Sequence, residues 1–259
     1  MSTDSVHSHA SKENSLSSDD PRDISKIKTS GEGNEFIVIG NHKYYRHELM
    51  QAFGGTLNPG LSPPPTHSFA NPGPLGLAAF GVTTLCLSLF NSQAMGIKIP
   101  NAVVGLAAFY GGGAQFLAGV WEMVVGNTFG ATALTSYGAF WLSYAAIEIP
   151  SFGIVAAYEG TEQLENALGF YLLAWGIFTF MLTLCTLKST FGFCALFVCL
   201  TVTFLLLAGG AFSGKESVTK AGGIVGVITG LLGLYNAFAG VANKQNSYIT
   251  VYPLQLTRQ

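Results

Sequence analysis

Thr190-Phe-Gly-Phe-Cys-Ala-Leu-Phe-Val-Cys-Leu-Thr-Val-Thr-Phe-Leu-Leu-Leu-Ala-Gly-Gly-Ala211 runs for 22 residues without one charged side chain. An α-helix rises 1.5 Å per residue, so about 20 apolar residues in a row span the hydrocarbon core of a bilayer. Outward from this stretch, five further runs of the same kind occur at 72–91, 102–124, 129–149, 167–187 and 221–242. Brief polar breaks divide them: Asn91 to Pro100, Gly126-Asn127, the acidic stretch Glu159, Glu162 and Glu165, Lys188-Ser189, and Lys215 to Lys220. The pattern predicts an all-α integral membrane protein with six transmembrane helices per protomer.

The charges agree with that reading. Only 10% of the 259 residues are charged, against roughly 25% in an ordinary soluble domain. Of the 26, 14 fall in residues 1–74 and 2 in 243–259, which leaves 10 for the 168 residues between. So sparse a set cannot cover a water-facing surface. Every His, Asp and Arg also lies outside that block. It therefore lacks the side chains for a His-based metal site, a Ser-His-Asp triad or an arginine clamp. The expectation is no enzyme, no metal and no cofactor. A net charge of −2 gives no footprint for nucleic acid. Cys86, Cys185, Cys194 and Cys199 sit in apolar runs without CxxC spacing and read as small buried hydrophobes.

Three regions follow: residues 1–70 as a cytosolic, largely disordered N-terminal tail, 71–242 as the six-helix transmembrane domain, and 243–259 as a short C-terminal tail. Residues 1–30 hold nine Ser and few apolar residues, a composition that buries too little surface to order itself. Glu35-Phe-Ile-Val-Ile-Gly40 reads as one short strand or a turn, and Phe53 to Gly60 with Leu61 to Pro65 as turn and polyproline linker. Without the apolar core of a cleavable signal, the first span must direct insertion, which places both termini in the cytosol. The basic residues of the breaks and tail divide three against three and do not decide the orientation.

Within the spans, several stripes carry polar or small residues. Gly222, Gly226 and Gly230 share one face of the sixth span, where a helix backbone can approach closely, either inside one bundle or between subunits. In the second, Gly111, Gln115, Ala118 or Gly119, and Glu122 recur at helical spacing, so Gln115 faces protein or a wet cavity. Thr128, Thr132, Thr135 or Ser136, Ala139 and Ser143 form a hydroxyl stripe on the third that suits tight packing or a narrow polar path. Phe80, Thr84 and Leu87 or Ser88 share a face of the first. The acids at membrane depth are Glu122 and Glu148, each near a helix end, as interfacial groups or proton-linked carboxylates.

Asn71-Pro-Gly-Pro-Leu-Gly-Leu77 starts the first span abruptly. Asn71 caps, Pro72 suits the first helical position, and the free N–H groups that follow offer donors to a small anion or serve the helix start alone. This heptad resembles the Asn-Pro-Ala-Pro-Leu-Gly-Leu signature of the acetate uptake transporter family, also called the succinate–acetate permease or ammonia/acetate exporter family, with Gly73 in place of the usual Ala. Phe109-Tyr-Gly-Gly-Gly-Ala-Gln115, Gly126-Asn-Thr-Phe-Gly130, Ser136-Tyr-Gly-Ala-Phe-Trp141 and Thr186-Leu-Lys188 follow in family order and spacing. Asn41-His-Lys-Tyr-Tyr-Arg46, Ala52 to Gly60 and Gln245-Asn-Ser-Tyr248 are similar to the fungal branch.

The resemblance implies a homo-oligomer, a hexamer with one path in each protomer, that carries acetate and similar short monocarboxylates with protons across the plasma membrane. It also implies a hydrophobic constriction at Phe80, Tyr137 and Leu200. Substrate-lining residues are expected at Asn71, Leu75, Thr83, Thr84, Gln115, Thr132 and Ser136, and proton-linked groups at Glu122 and Glu148. The competing readings are a neutral-solute channel for ammonia or water, and a non-transporting scaffold or sensor.

Overall fold

A computed structural model describes residues 28–31, 35–52 and 69–257. They belong to two compact units divided after Ser68. In the amino-terminal unit, strands β1 (Lys28–Ser30), β2 (Phe36–Ile39) and β3 (His42–Tyr45) form an antiparallel sheet in that order, and helix α1 (Arg46–Ala52) follows. Gly40, at φ 60°, lets Ile39 turn straight back to pair with His42, as two-residue hairpin connections require. Phe36 stands opposite Tyr45 with ring centroids 4.9 Å apart, and the Lys43 amine lies 3.8 Å over the Phe36 ring. The strand expected at Glu35 to Gly40 is thus the centre of a larger sheet that reaches back to Lys28. Strands of three and four residues are too short for a period-two pattern to stand out. The rest of the expected disordered tail, and the linker from Phe53 to Pro65, lie outside the described residues.

The second unit holds the long helices: Gly73–Asn91, Val103–Val124, Thr128–Glu148, Leu164–Thr186, Phe191–Ser213 and Glu216–Val241, called the first to sixth spans below. All but the third are long and apolar enough to cross a membrane, with mean hydropathy between 1.5 and 2.5. The third falls short because Thr, Ser, Tyr and Trp dilute its apolar residues. Local chemistry sets the ends. Asn127 Oδ1 accepts from Gly130 N at 3.0 Å and Thr190 Oγ1 from Phe193 N at 3.3 Å, which caps the third and fifth spans. Pro150 pushes Ile149 into extended backbone, so the third span stops at Glu148. The sixth begins five residues before the apolar run, because Glu216 in its first turn favours the helix dipole and pairs with Lys220 at 2.8 Å. Hydropathy registers only the apolar part of such a helix.

The second span is not a uniform α-helix. Leu106–Ala114 is π-helical, between α-helical turns at Val103–Gly105 and Gln115–Val124. In this widened turn the Ala107 carbonyl faces Gly112, where a side chain would collide with it.

The first span packs most extensively against the sixth, the sixth against the fifth, and the fifth against the fourth, while the second packs on the third and the first. Glycines set the closest approach. A methyl on Gly230 would sit 2.7 Å from the Leu85 nitrogen, and one on Gly81 would sit 2.8 Å from the Leu234 nitrogen, so the first and sixth spans touch backbone to backbone. Gly119 of the second span likewise lies against the Thr135 backbone of the third. The glycine faces of the second and sixth spans are therefore used in packing within one protomer, the first of the two readings left open for the sixth.

The enclosed centre is aromatic. Phe80, Tyr137, Phe140, Phe197, Leu200 and Phe204 belong to one buried cluster, with Phe140 and Phe204 edge to face at 5.2 Å. The C-terminal tail returns to the break between the fourth and fifth spans: Phe191 N donates to Leu254 O at 2.7 Å, and Leu256 N donates to Ser189 O at 3.0 Å.

Candidate functional site

Three spaces follow one another through the helical unit. The largest, about 480 Å³, opens where Asn71, Asn127, Ser189 and Gly240 meet. A second of about 340 Å³ opens at the other end, between Asn91, Tyr144, Glu165 and Gly214. A chamber of about 30 Å³ lies between them. Phe80, Tyr137 and Leu200 line both the large cavity and the chamber, and Leu87, Asn91, Phe140 and Leu207 line both the chamber and the second cavity. Successive antiparallel spans put Phe80, Tyr137 and Leu200 at mid-helix, where three of them meet.

Each of these three residues is buried, and two are visibly braced. The Phe80 and Tyr137 ring centroids are 6.0 Å apart. Tyr137 Oη donates to Thr179 Oγ1 at 3.0 Å, and Thr179 in turn donates to Trp175 O at 2.7 Å. On the fifth span, Leu200 is held by ties on either side of it. Thr201 and Thr183 hydroxyls are 2.9 Å apart, and those of Thr203 and Thr229 are 3.3 Å apart. These threonines were not singled out from the sequence. The signal was present in the spacing of Thr179, Thr183 and Thr186, which fall on one helical face.

The expected lining residues divide into two groups. Asn71, Gln115 and Glu122 line the large cavity, and Thr84 lines the chamber with Ser88 and Leu87. Leu75, Thr83, Thr132 and Ser136 line none of the three spaces. Leu75 is 49% exposed on the outside of the bundle. Thr83 donates to Ala79 O at 2.8 Å and faces Gly111 of the second span. Thr132 is exposed and donates to Thr128 O at 2.8 Å. The third span turns Ala133, Tyr137, Phe140 and Trp141 toward the path instead, and its hydroxyl stripe divides, with Thr128 and Thr132 exposed and Thr135, Ser136 and Ser143 half-buried. Ser143, on that stripe, meets Tyr171 Oη of the fourth span at 2.7 Å.

Glu122 and Glu148 lie at opposite ends. Glu148, at the end of the third span, is beside Tyr144, whose side chain lines the second cavity. Glu122 is 2% exposed, and its carboxylate sits where two helices begin. A methyl on Gly73 would lie 3.1 Å from one carboxylate oxygen, and one on Gly130 would lie 2.8 Å from the other. The carboxyl group thus lies at the positive dipole ends of the first and third spans. Asn71 Oδ1, nearby, accepts from Gly73 N at 3.0 Å.

Three buried polar side chains facing this path have no hydrogen-bond partner among the described residues: Gln115 at both amide atoms, Thr84 and Trp141. Trp141 was missed because an indole in an apolar run reads as core. Among the described residues no group of His, Cys, Asp or Glu could hold a metal ion.

The sequence model of the GPR1/FUN34/yaaH family matches residues 53–258. The chain is 59% identical to Accumulation of dyads protein 2 of Saccharomyces cerevisiae, over 90% of its own length and 83% of that protein's. It is 57% identical to Ammonia transport outward protein 2 of the same yeast, over 95% of this chain and 88% of that one. Among solved structures it is similar to the bacterial acetate channel SatP, with a TM-score of 0.65 and 39% identity, covering 72% of this chain and 99% of that one.

Proposed function

The chain belongs to the GPR1/FUN34/yaaH family, and from that premise we propose that it carries acetate and similar short monocarboxylates across a membrane along the path between its two cavities. The observation that carries the reading is the succession of a wide cavity, the ring of Phe80, Tyr137 and Leu200, a small chamber and a second cavity. The ring acts as a dry size filter. A scaffold has no use for buried polar groups left unpartnered along such an axis, because each one costs stability. The likeness to a solved acetate channel supports the substrate class.

Asn71, Thr84 and Gln115 are the polar contacts of the path in this reading. Glu122 is its proton-linked group at one end and Glu148 at the other. Six protomers, each with its own path, assemble in the plasma membrane with both termini cytosolic. The large cavity, at the end where both termini of the helical unit lie, then faces the cytosol. A second reading, export linked to ammonium, is favoured by the 57% identity to a protein named for outward ammonia transport. Uptake of labelled acetate into proteoliposomes under an imposed proton gradient tests the proposal. Uptake no greater than in protein-free vesicles refutes it, and release of ammonium without acetate transport replaces it with the second reading.

A further inference from the structure

We infer that Gln115 recognises its substrate as the neutral carboxylic acid, through a pair of hydrogen bonds between its side-chain amide and the carboxyl group. This rests on the acetate-transport reading for the identity of the substrate and on the cavity for the form it takes. Gln115 is 0% exposed, lines the large cavity, and finds no partner among the described residues for either its amide oxygen or its amide nitrogen. A glutamine amide buried without partners is costly, so a ligand that supplies both partners is favoured there.

The chemistry of the amide selects the protonation state. It offers one acceptor and one donor side by side. A protonated carboxyl group carries the complementary pair, an O–H donor beside a C=O acceptor, and the two groups close a ring of two hydrogen bonds. A carboxylate has acceptors only. It would satisfy the amide nitrogen and set its negative charge against the amide oxygen.

The rest of the cavity disfavours an anion in the same way. Among the described residues its titratable lining is Glu122 from the second span, Tyr137 from the third and Cys185 from the fourth, with no Lys, Arg or His. The remaining attraction for an anion would be the N-termini of the first and third spans, and the Glu122 carboxylate already lies against Gly73 and Gly130 there. Gln115 precedes Glu122 by seven residues, two turns along one face, so carboxylate and amide look into the same space. The π-helical stretch Leu106–Ala114 ends at Gln115, and widened turns of this kind are frequent at functional sites.

Two small probes separate the forms. Acetamide is an uncharged isostere of acetic acid with a donor and an acceptor on one carbon, and trifluoroacetate is an anion at every pH of interest. Saturation-transfer NMR on the purified full-length protein, observed on 1H for acetamide and on 19F for trifluoroacetate, reads binding without requiring transport. The expected result is transfer to acetamide that is unchanged between pH 5 and 7, none to trifluoroacetate, and loss of the acetamide signal in Gln115→Leu. In proteoliposomes, acetamide should slow acetate uptake and trifluoroacetate should not. Binding of trifluoroacetate, or acetamide transfer that survives in Gln115→Leu, overturns the inference, and the contrast between probes in the unaltered protein tests it even where the variant fails to fold. Acetamide binding without any acetate uptake would leave the Gln115 reading standing and refute the transport reading on which the substrate's identity rests.

Discussion

Leu200→Ala tests the filter directly. Leu200 is 4% exposed and lies between the large cavity and the chamber. Truncating a buried leucine costs ~2–5 kcal/mol. Here the loss falls at the low end, about 2 kcal/mol, because part of the side chain borders the cavity and the chamber. The variant therefore folds with a lowered melting temperature. Its path loses three carbon atoms from one of three walls. A fitted pocket discriminates against one extra methylene by ~1–3 kcal/mol, about 10–200-fold. Relieving at least one such penalty raises the uptake of butanoate relative to acetate by about tenfold. The assay is competition between the two labelled acids in proteoliposomes, with Val198→Ala, on the exposed face of the same helix, as the control that leaves the ratio unchanged. A folded, acetate-transporting Leu200→Ala protein with the original ratio would show that Leu200 only packs and that the ring is not the filter.

Other substitutions test the frame. Gly230→Ala forces a methyl to within 2.7 Å of the Leu85 nitrogen and should destabilise the protein by ~1–3 kcal/mol in detergent melting, whereas Gly105→Ala meets nothing within 4 Å and should melt as the parent does. Thr179→Val strands the buried Tyr137 hydroxyl and should cost ~1–3 kcal/mol, while Tyr137→Phe on that background should recover most of the loss; equal melting of the single and double variants would discount the tie. Asn71→Ala should cost ~1 kcal/mol by removing the acceptor for Gly73 N, and Asn71→Asp should restore it. Uptake lost in Asn71→Asp with melting restored would give Asn71 a role in binding as well.

Much of the helical architecture was legible because hydropathy and length report directly on membrane crossing, and the apolar runs coincide with the helices apart from their ends. The ends escaped where charge extends a helix past its apolar part, as at Glu216. The π-helical stretch escaped because apolar periodicity carries no record of a change in hydrogen-bond register inside a Gly-rich run. Phe80, Tyr137 and Leu200 could be named through the resemblance, since nothing in their spacing separates them from core. Leu75 and Thr132 line none of the three spaces for a physical reason: a helix of small residues offers several faces of nearly equal polarity, and only the neighbours decide which one turns inward. The same ambiguity left the glycine faces open between bundle and subunit interface until the contact of Gly230 with Leu85 closed it.

The buried polar groups of the bundle show where its polarity serves structure and where it serves the path. Hydroxyls of Thr83, Thr179, Thr183, Thr201, Thr203 and Thr229 each lie within hydrogen-bonding distance of a carbonyl four residues earlier. Where such hydroxyls pair across helices, they bind the fourth span to the fifth and the fifth to the sixth. These groups are satisfied and do not need water or solute. Among the described residues of the helical unit, the buried side chains without a partner are Thr84, Gln115, Thr135 and Trp141. Three of the four line the large cavity or the chamber, and the fourth, Thr135, lies against Gly119. A bundle that satisfies its polar groups almost everywhere else has left them open along one axis. Polarity there is retained against its cost in stability, which is the expected arrangement if a solute passing the ring must exchange its water for Gln115 on one side and Thr84 or Trp141 on the other.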